Sequence, residues 1–132
     1  MQSDLDRLLA TATGFAREKL GKHGGFFPFG TAISLDGAVK MVGTHSMVPI
    51  DQVPKSGDLT ALCRTALHRK RDHLRAAAVV WAEPGSHQIR IHLEHHDGVA
   101  LSVAVPFTRR RLTRSVSLGT PVTRPGPVQI WS

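Results

Sequence analysis

The length and composition of the chain are those of an ordinary globular protein of one domain. Its 132 residues are 41% hydrophobic and 20% charged and include a single cysteine, which excludes extensive disorder and an internal disulfide. No apolar run approaches the ~18 residues that a membrane helix needs. Asp4 and Asp6 are atypical of a signal peptide. We therefore expect a cytoplasmic protein with no membrane partner.

The charge is distributed unevenly along the chain. Residues 1–60 contain six basic and six acidic residues, whereas the remainder contains eleven basic and four acidic ones, so the net charge of +7 lies in the second half. A one-sided positive field favours acidic partners such as nucleic acid or an acidic protein.

Two segments have the apolar spacing of amphipathic helices. The first spans residues 3–21 and ends at glycine. The second begins at Ser56 or Asp58 and runs to His73 or Leu74, after a loop over residues 43–57. Four basic residues spaced by four, three and four fall on one exposed line of the second helix. They are Arg64, His68, Arg71 and Arg75.

Two β-hairpins are predicted, each around an Asp-Gly pair, over residues 27–42 and 87–107. A two-residue turn would place a charged residue opposite an apolar one in each hairpin. A three-residue turn keeps one face apolar and requires Gly37 and Gly98 to have positive φ. The predicted pairs are Ile33 with Val39, Thr31 with Met41, Leu93 with Leu101 and Ile91 with Val103.

The sequence pattern of the second half predicts most of the strands of the sheet. Strands are expected over residues 77–82, 87–95 and 99–107, with a short sixth strand within 115–122. Alternation puts one set of apolar residues on a buried face, which Leu62 and Leu67 of the second helix should cover. That set is Ile89, Ile91, Leu93, Leu101, Val103 and Val105.

These elements predict an α+β fold in the order α-β-β-α-β-β-β, with two helices and a five- to six-stranded antiparallel sheet made of a hairpin and a three-strand meander. Residues 1–122 form the single domain in this interpretation. Residues 123–132 contain Pro125 and Pro127 and are predicted to be a C-terminal tail. One expectation is that Trp131 in this tail packs against another part of the protein.

The predicted order resembles the roadblock and profilin-like folds, which have a five-stranded antiparallel sheet with helices on its faces. Roadblock proteins usually close with a further helix, which the proline-containing tail cannot readily supply. Locally, residues 25–107 are similar to short bacterial proteins without an assigned function. The motifs that carry this similarity are Phe26-Phe27-Pro28-Phe29-Gly30, Ser34-Leu35-Asp36-Gly37, Leu93-Glu94-His95-His96-Asp97-Gly98 and Pro106-Phe107. This resemblance provides no catalytic residues that could be assigned to positions of this sequence.

Basic residues form the first candidate site. Besides the helical line, a run between residues 109 and 114 contains Arg109, Arg110, Arg111 and Arg114. Arginine binds phosphate well, so the two groups together predict a surface for nucleic acid or an acidic partner. The alternative is a solvated helix end and a solvated strand exit.

Metal ligands and nucleophiles are the other candidates. His92 and Glu94 are two residues apart on a predicted strand, so both lie on its outward face, ~6.5–7 Å apart, where they could share an ion. A polar, solvent-facing strand is the simpler interpretation, and no cofactor is predicted. Cys63 lies on the apolar stripe of the second helix, which indicates a buried thiol rather than a nucleophile.

The sequence therefore favours a non-catalytic protein-interaction module over an enzyme. A sheet with an exposed edge pairs readily with a copy of itself, so a homodimer is one expected assembly. Nucleic-acid binding through the basic second half is the alternative, and a metal-dependent enzyme is the third interpretation.

Overall fold

The fold combines two helices with one antiparallel sheet. A computed structural model describes residues 2–23, 26, 28–43, 56–82, 87–110, 113 and 115–131. Within these residues the predicted order α-β-β-α-β-β-β is confirmed, and two short strands follow it. The elements are α1 (Gln2–His23), β1 (Phe29–Ser34), β2 (Val39–Gly43), α2 (Ser56–Arg69), a 3-10 turn (Arg71–His73), β3 (Leu74–Trp81), β4 (Gln88–His95), β5 (Ala100–Arg109), β6 (Val116–Leu118) and β7 (Val122–Pro125).

The sheet has seven strands in the spatial order β2-β1-β3-β4-β5-β6, and β7 also pairs with β5. All the pairings are antiparallel. The strands β6 and β7 lie on consecutive stretches of the same side of β5, at residues 107–109 and 101–104. β2 therefore lies at one edge of the sheet and β6 and β7 at the other.

The registers of both hairpins are confirmed. Ile33 pairs with Val39 and Thr31 with Met41 in the first, and Leu93 pairs with Leu101 and Ile91 with Val103 in the second. Gly37 and Gly98 have φ of +91° and +95°. Only glycine adopts this conformation at little cost, so the two glycines fix the three-residue turns and thereby the apolar face.

The helix α1 covers one face of the sheet. Its buried residues recur at helical spacing and pack against alternate residues of β1, β3, β4 and β5. The buried face that α1 covers includes Ile89, Ile91, Leu93, Val103 and Val105. On α1 the buried side chains are Leu5, Leu8, Ala12, Ala16 and Leu20.

The prediction that α2 covers this face was wrong. Leu67 is buried on the opposite face with Ala32, Ala77 and Val79, and Leu62 is 38% exposed. Both helices are amphipathic and either could have covered either face. The difference arises because α2 connects β2 to β3 by crossing over β1, and this crossing takes it to the face that α1 leaves open.

The chain after β6 also packs on the sheet. The tail was predicted to begin at residue 123, but residues 122–125 form β7. Residues 126–131, which we call the C-terminal segment, continue onto the face that α2 covers. Ile130 is fully buried there with Cys63, Leu67 and Val79. Burial of such a side chain contributes ~1.5–3 kcal/mol, so the C-terminal segment belongs to the core.

No helix among the described residues is both long enough and apolar enough to cross a bilayer.

Candidate functional site

The basic line predicted on the second helix divides between two elements. α2 ends at Arg69, and Arg71 begins a 3-10 turn that leads into β3. The Nδ1–H of His68 donates to the carbonyl of Ile130 at 2.7 Å, and Arg71 Nη1 donates to the carbonyl of His68 at 2.7 Å. Arg64 lies half-buried on α2. The prediction that one helix carries all four residues was therefore wrong.

Arg75 lies on β3, on the side of the sheet that carries α1. Its Nη2 donates to Asp4 Oδ1 at 2.7 Å, near the start of that helix. Burial alone would raise the pKa of Asp4, but the hydrogen bonds from Arg75 and His95 outweigh it and lower the pKa below the ordinary value. The charge of Arg75 is thus neutralised by Asp4.

The second basic group lies at the other end of α1. Arg109 Nε donates to the carbonyl of Leu20 at 2.8 Å, a favourable contact with the negative end of the helix dipole. Arg110 is exposed, whereas Arg111 and Arg114 lie outside the described residues. Asp4 and Leu20 are about 24 Å apart along the helix axis, so the structure does not bring Arg75 and Arg109 together.

The weak metal candidates His92 and Glu94 are brought together but not at the surface. They are only 5% and 0% exposed, so this part of the expected outward polar face is buried beneath the C-terminal segment, whereas Arg90 on the same face is exposed. His92 Nε2 donates to Glu94 Oε2 at 2.6 Å. Alternation along β4 correctly separated these residues from the α1 face, but it carries no information about what covers the second face.

Glu94 anchors the C-terminal segment. Its carboxylate accepts the backbone N–H groups of Gln129 at 3.0 Å, Ile130 at 2.8 Å and Trp131 at 3.3 Å. Burial would raise the pKa of Glu94, yet the hydrogen bonds from His92 and from these N–H groups hold the pKa below its usual range. Both carboxylate oxygens of Glu94 accept hydrogen bonds from backbone N–H groups of the C-terminal segment. The His92–Glu94 pair therefore holds this segment rather than a metal ion.

Cys63 is buried, as the sequence indicated. Burial raises the pKa of its thiol to about 11. The thiol therefore stays protonated at neutral pH, which is the state of a structural cysteine rather than of a nucleophile.

The apolar side chains at the β2 edge are exposed. Leu35 in the turn is 60% exposed, and Val39 and Met41 on β2 are 38% and 44% exposed. We call these three residues the β2 edge surface. Val39 and Met41 pair with residues of β1 on the α1 side of the sheet, so the surface extends the core face beyond the area that α1 covers.

Backbone groups of β2 are also available. Among the described residues β2 pairs with β1 alone. The carbonyl of Ala38 accepts from Ser34 N–H at 2.9 Å, and that of Lys40 accepts from Thr31 Oγ1 at 3.0 Å. Because backbone groups alternate in direction along an antiparallel strand, those of Val39 and Met41 point away from β1.

The opposite edge of the sheet is better protected. β7 is short, exposed along its length, and carries Arg124 and Pro125. A proline lacks the backbone N–H that strand pairing needs, so it protects an edge strand from pairing with another chain. β2 is therefore the more available of the two edges.

Comparisons with known proteins give no assignment: no family model, no curated protein and no solved structure matches the chain.

Proposed function

We propose that the protein is a non-catalytic interaction module of the cytoplasm that forms a homodimer through β2. The observation that carries the proposal is the combination of outward-facing backbone groups at Val39 and Met41 with exposed apolar side chains at the same residues. Main-chain bonds supply affinity in such strand addition, and alternate side chains supply specificity.

A second copy of the chain fits the edge in register. In an antiparallel pair related by a two-fold axis at Met41, Met41 lies opposite its own copy and Val39 lies opposite Gly43. Both are pairs whose backbone groups point outward, so they can exchange hydrogen bonds. Lys40 then lies opposite Val42, which keeps the two Lys40 charges from facing each other directly.

The net charge gives this proposal a specific salt dependence. Two copies that each carry +7 repel each other, and salt screens the repulsion. Homodimerisation should therefore strengthen as salt is added.

Nucleic-acid binding, the alternative, has the opposite salt dependence. It releases counterions from the phosphates, and this release becomes less favourable as salt is added, so affinity falls at high salt. It has less support, since Arg75 and Arg109 bond to opposite ends of α1 and His68 bonds to the C-terminal segment. Tight binding of a short duplex at low salt, together with a monomeric protein at every salt concentration, would favour the alternative.

The edge is tested by sedimentation velocity on three variants. Met41→Pro removes an outward N–H without removing a bond to β1, and Met41→Lys adds a repelling charge; both should give monomers. Leu62→Lys is the matched control, because Leu62 is a similarly exposed apolar residue on α2. It should dimerise as the wild type does. A Met41→Pro variant that dimerises normally would overturn the proposal.

A further inference from the structure

Three potential metal ligands converge at the turn between β4 and β5. His95 Nδ1 lies 3.3 Å from Asp97 Oδ2, and His96 Nδ1 lies 3.3 Å from Asp97 Oδ1. One ligand atom from each of the three residues lies within 4.8 Å of the other two. His95 was not among the predicted metal ligands, because these were taken from the outward-facing residues of β4.

These separations are close to those of a zinc site. Ligand atoms at zinc-bond lengths of ~2.0–2.1 Å in a tetrahedron lie about 3.3 Å from one another. Each imidazole nitrogen already lies at this distance from one oxygen of Asp97, His95 Nδ1 from Oδ2 and His96 Nδ1 from Oδ1. A cation could therefore be held after small side-chain rotations.

The imidazole of His95 is oriented as a metal ligand. Its Nε2–H donates to Asp4 Oδ2 at 3.2 Å, and Asp4 is itself held by Arg75. The other ring nitrogen, Nδ1, therefore has its lone pair available. Among the described residues it accepts a long 3.3 Å contact from Asp97 N–H and lies 3.3 Å from Asp97 Oδ2. A carboxylate behind a ligating histidine is the common arrangement of protein zinc sites.

The turn gives the site both rigidity and access. His95 is 4% exposed, and its backbone closes the turn through bonds to Val99 and Gly98 at 2.9 Å. The side chains of His96 and Asp97 are 49% and 50% exposed. The buried histidine fixes one ligand position, while the exposed pair leaves the remaining coordination positions open to solvent.

We propose that His95, His96 and Asp97 bind a divalent cation of the zinc class, with an open coordination position. Two imidazole nitrogens and one carboxylate select Zn²⁺, Co²⁺ or Ni²⁺ over Mg²⁺ and Ca²⁺, which prefer oxygen ligands. The site lies at the turn end of β4 and does not depend on the β2 edge, so either proposal can fail alone.

Isothermal titration calorimetry with ZnCl₂ and with MgCl₂ tests the site on the full chain. The wild type should bind Zn²⁺ and not Mg²⁺. His96→Ala and Asp97→Asn should each weaken Zn²⁺ binding at least tenfold. The matched control is His87→Ala, which removes an exposed histidine just before the opposite end of β4 and should leave the affinity unchanged.

The positioning role of Asp4 has its own readout. Asp4→Asn should weaken binding by about 10–100-fold while His96 and Asp97 remain in place. Amide NMR shifts on addition of Zn²⁺ should be confined to the turn and its contacts with α1, and thermal melts verify that each variant folds. Equal Zn²⁺ affinity in wild type and His96→Ala, an equal loss in His87→Ala, or no Zn²⁺ binding by the wild type would overturn the proposal.

Discussion

The backbone N–H of Ile130 donates to the carboxylate of Glu94, at 2.9 Å from Oε1 and 2.8 Å from Oε2, across 36 residues of sequence. This contact joins the C-terminal segment to the centre of the sheet. It also brings Ile130 over the apolar residues beneath α2. Part of the second face of the sheet is therefore covered by the C-terminal segment, which the Glu94 carboxylate holds in place.

Glu94→Gln should destabilise the protein by about 2 kcal/mol, because a neutral amide replaces an acceptor of charge-assisted bonds and its NH₂ group faces backbone donors. Urea unfolding measures the change in the free energy of unfolding. The control is Glu18→Gln, whose exposed partner is Lys22 and which should leave the free energy of unfolding almost unchanged, because solvent screens this surface ion pair. Equal effects of the two substitutions would contradict the anchoring role.

The same carboxylate predicts the acid sensitivity of the fold. Because the folded-state pKa of Glu94 lies below its ordinary value of 4.5, its stabilisation is fully present above that value and is lost as pH falls through the folded pKa. Urea midpoints measured from about pH 7 to about pH 3 should fall more in the wild type than in Glu94→Gln. Parallel curves would show that Glu94 is not the group responsible.

Ile130→Ala should cost about 3 kcal/mol, because it leaves a cavity between α2 and the sheet. Val128→Ala is its control: Val128 is in the same segment but 40% exposed, and its substitution should cost less than ~0.5 kcal/mol. Thermal or urea unfolding distinguishes the two. A C-terminal segment that contributes nothing to the core would give the same small value for both.

Two glycine substitutions should have opposite signs. A Cβ at Gly98 or at Gly14 would meet no described atom within 4 Å, so only the backbone matters. Gly98 has φ of +95°, and Gly98→Ala should destabilise by about 1 kcal/mol. Gly14 lies within α1, where Gly14→Ala should stabilise by about 0.8 kcal/mol. A stabilising Gly98→Ala would mean that the turn geometry is wrong.

The local part of the fold could be predicted from the sequence because its signals are local. Alternation and the Asp-Gly turns specify both hairpin registers, since a shift of one residue would bury a charge. The end of α2 was harder to predict. No glycine or proline marks the change from Arg69 into the 3-10 turn, and the basic line was therefore extended onto β3.

The candidate sites depend on tertiary contacts that periodicity does not encode. Alternation separates His92 and Glu94 from the α1 face, but whether that second face meets water depends on where the C-terminal segment lies. Pro125 and Pro127 indicated a tail, yet proline is compatible with an edge strand and with an extended segment. The orientation of His95 depends on a tertiary contact as well, because its partner Asp4 lies 91 residues away.

Hydrogen exchange at β2 tests the proposed dimer most directly. By the alternation along β2, the Lys40 amide faces β1 and should be protected at every protein concentration, so it serves as the internal control. The Met41 amide faces outward. We expect the Met41 amide to exchange rapidly in dilute protein at low salt and to become protected when protein concentration and salt are raised. Rapid exchange of Met41 under all these conditions, with Lys40 protected, would contradict strand pairing at this edge.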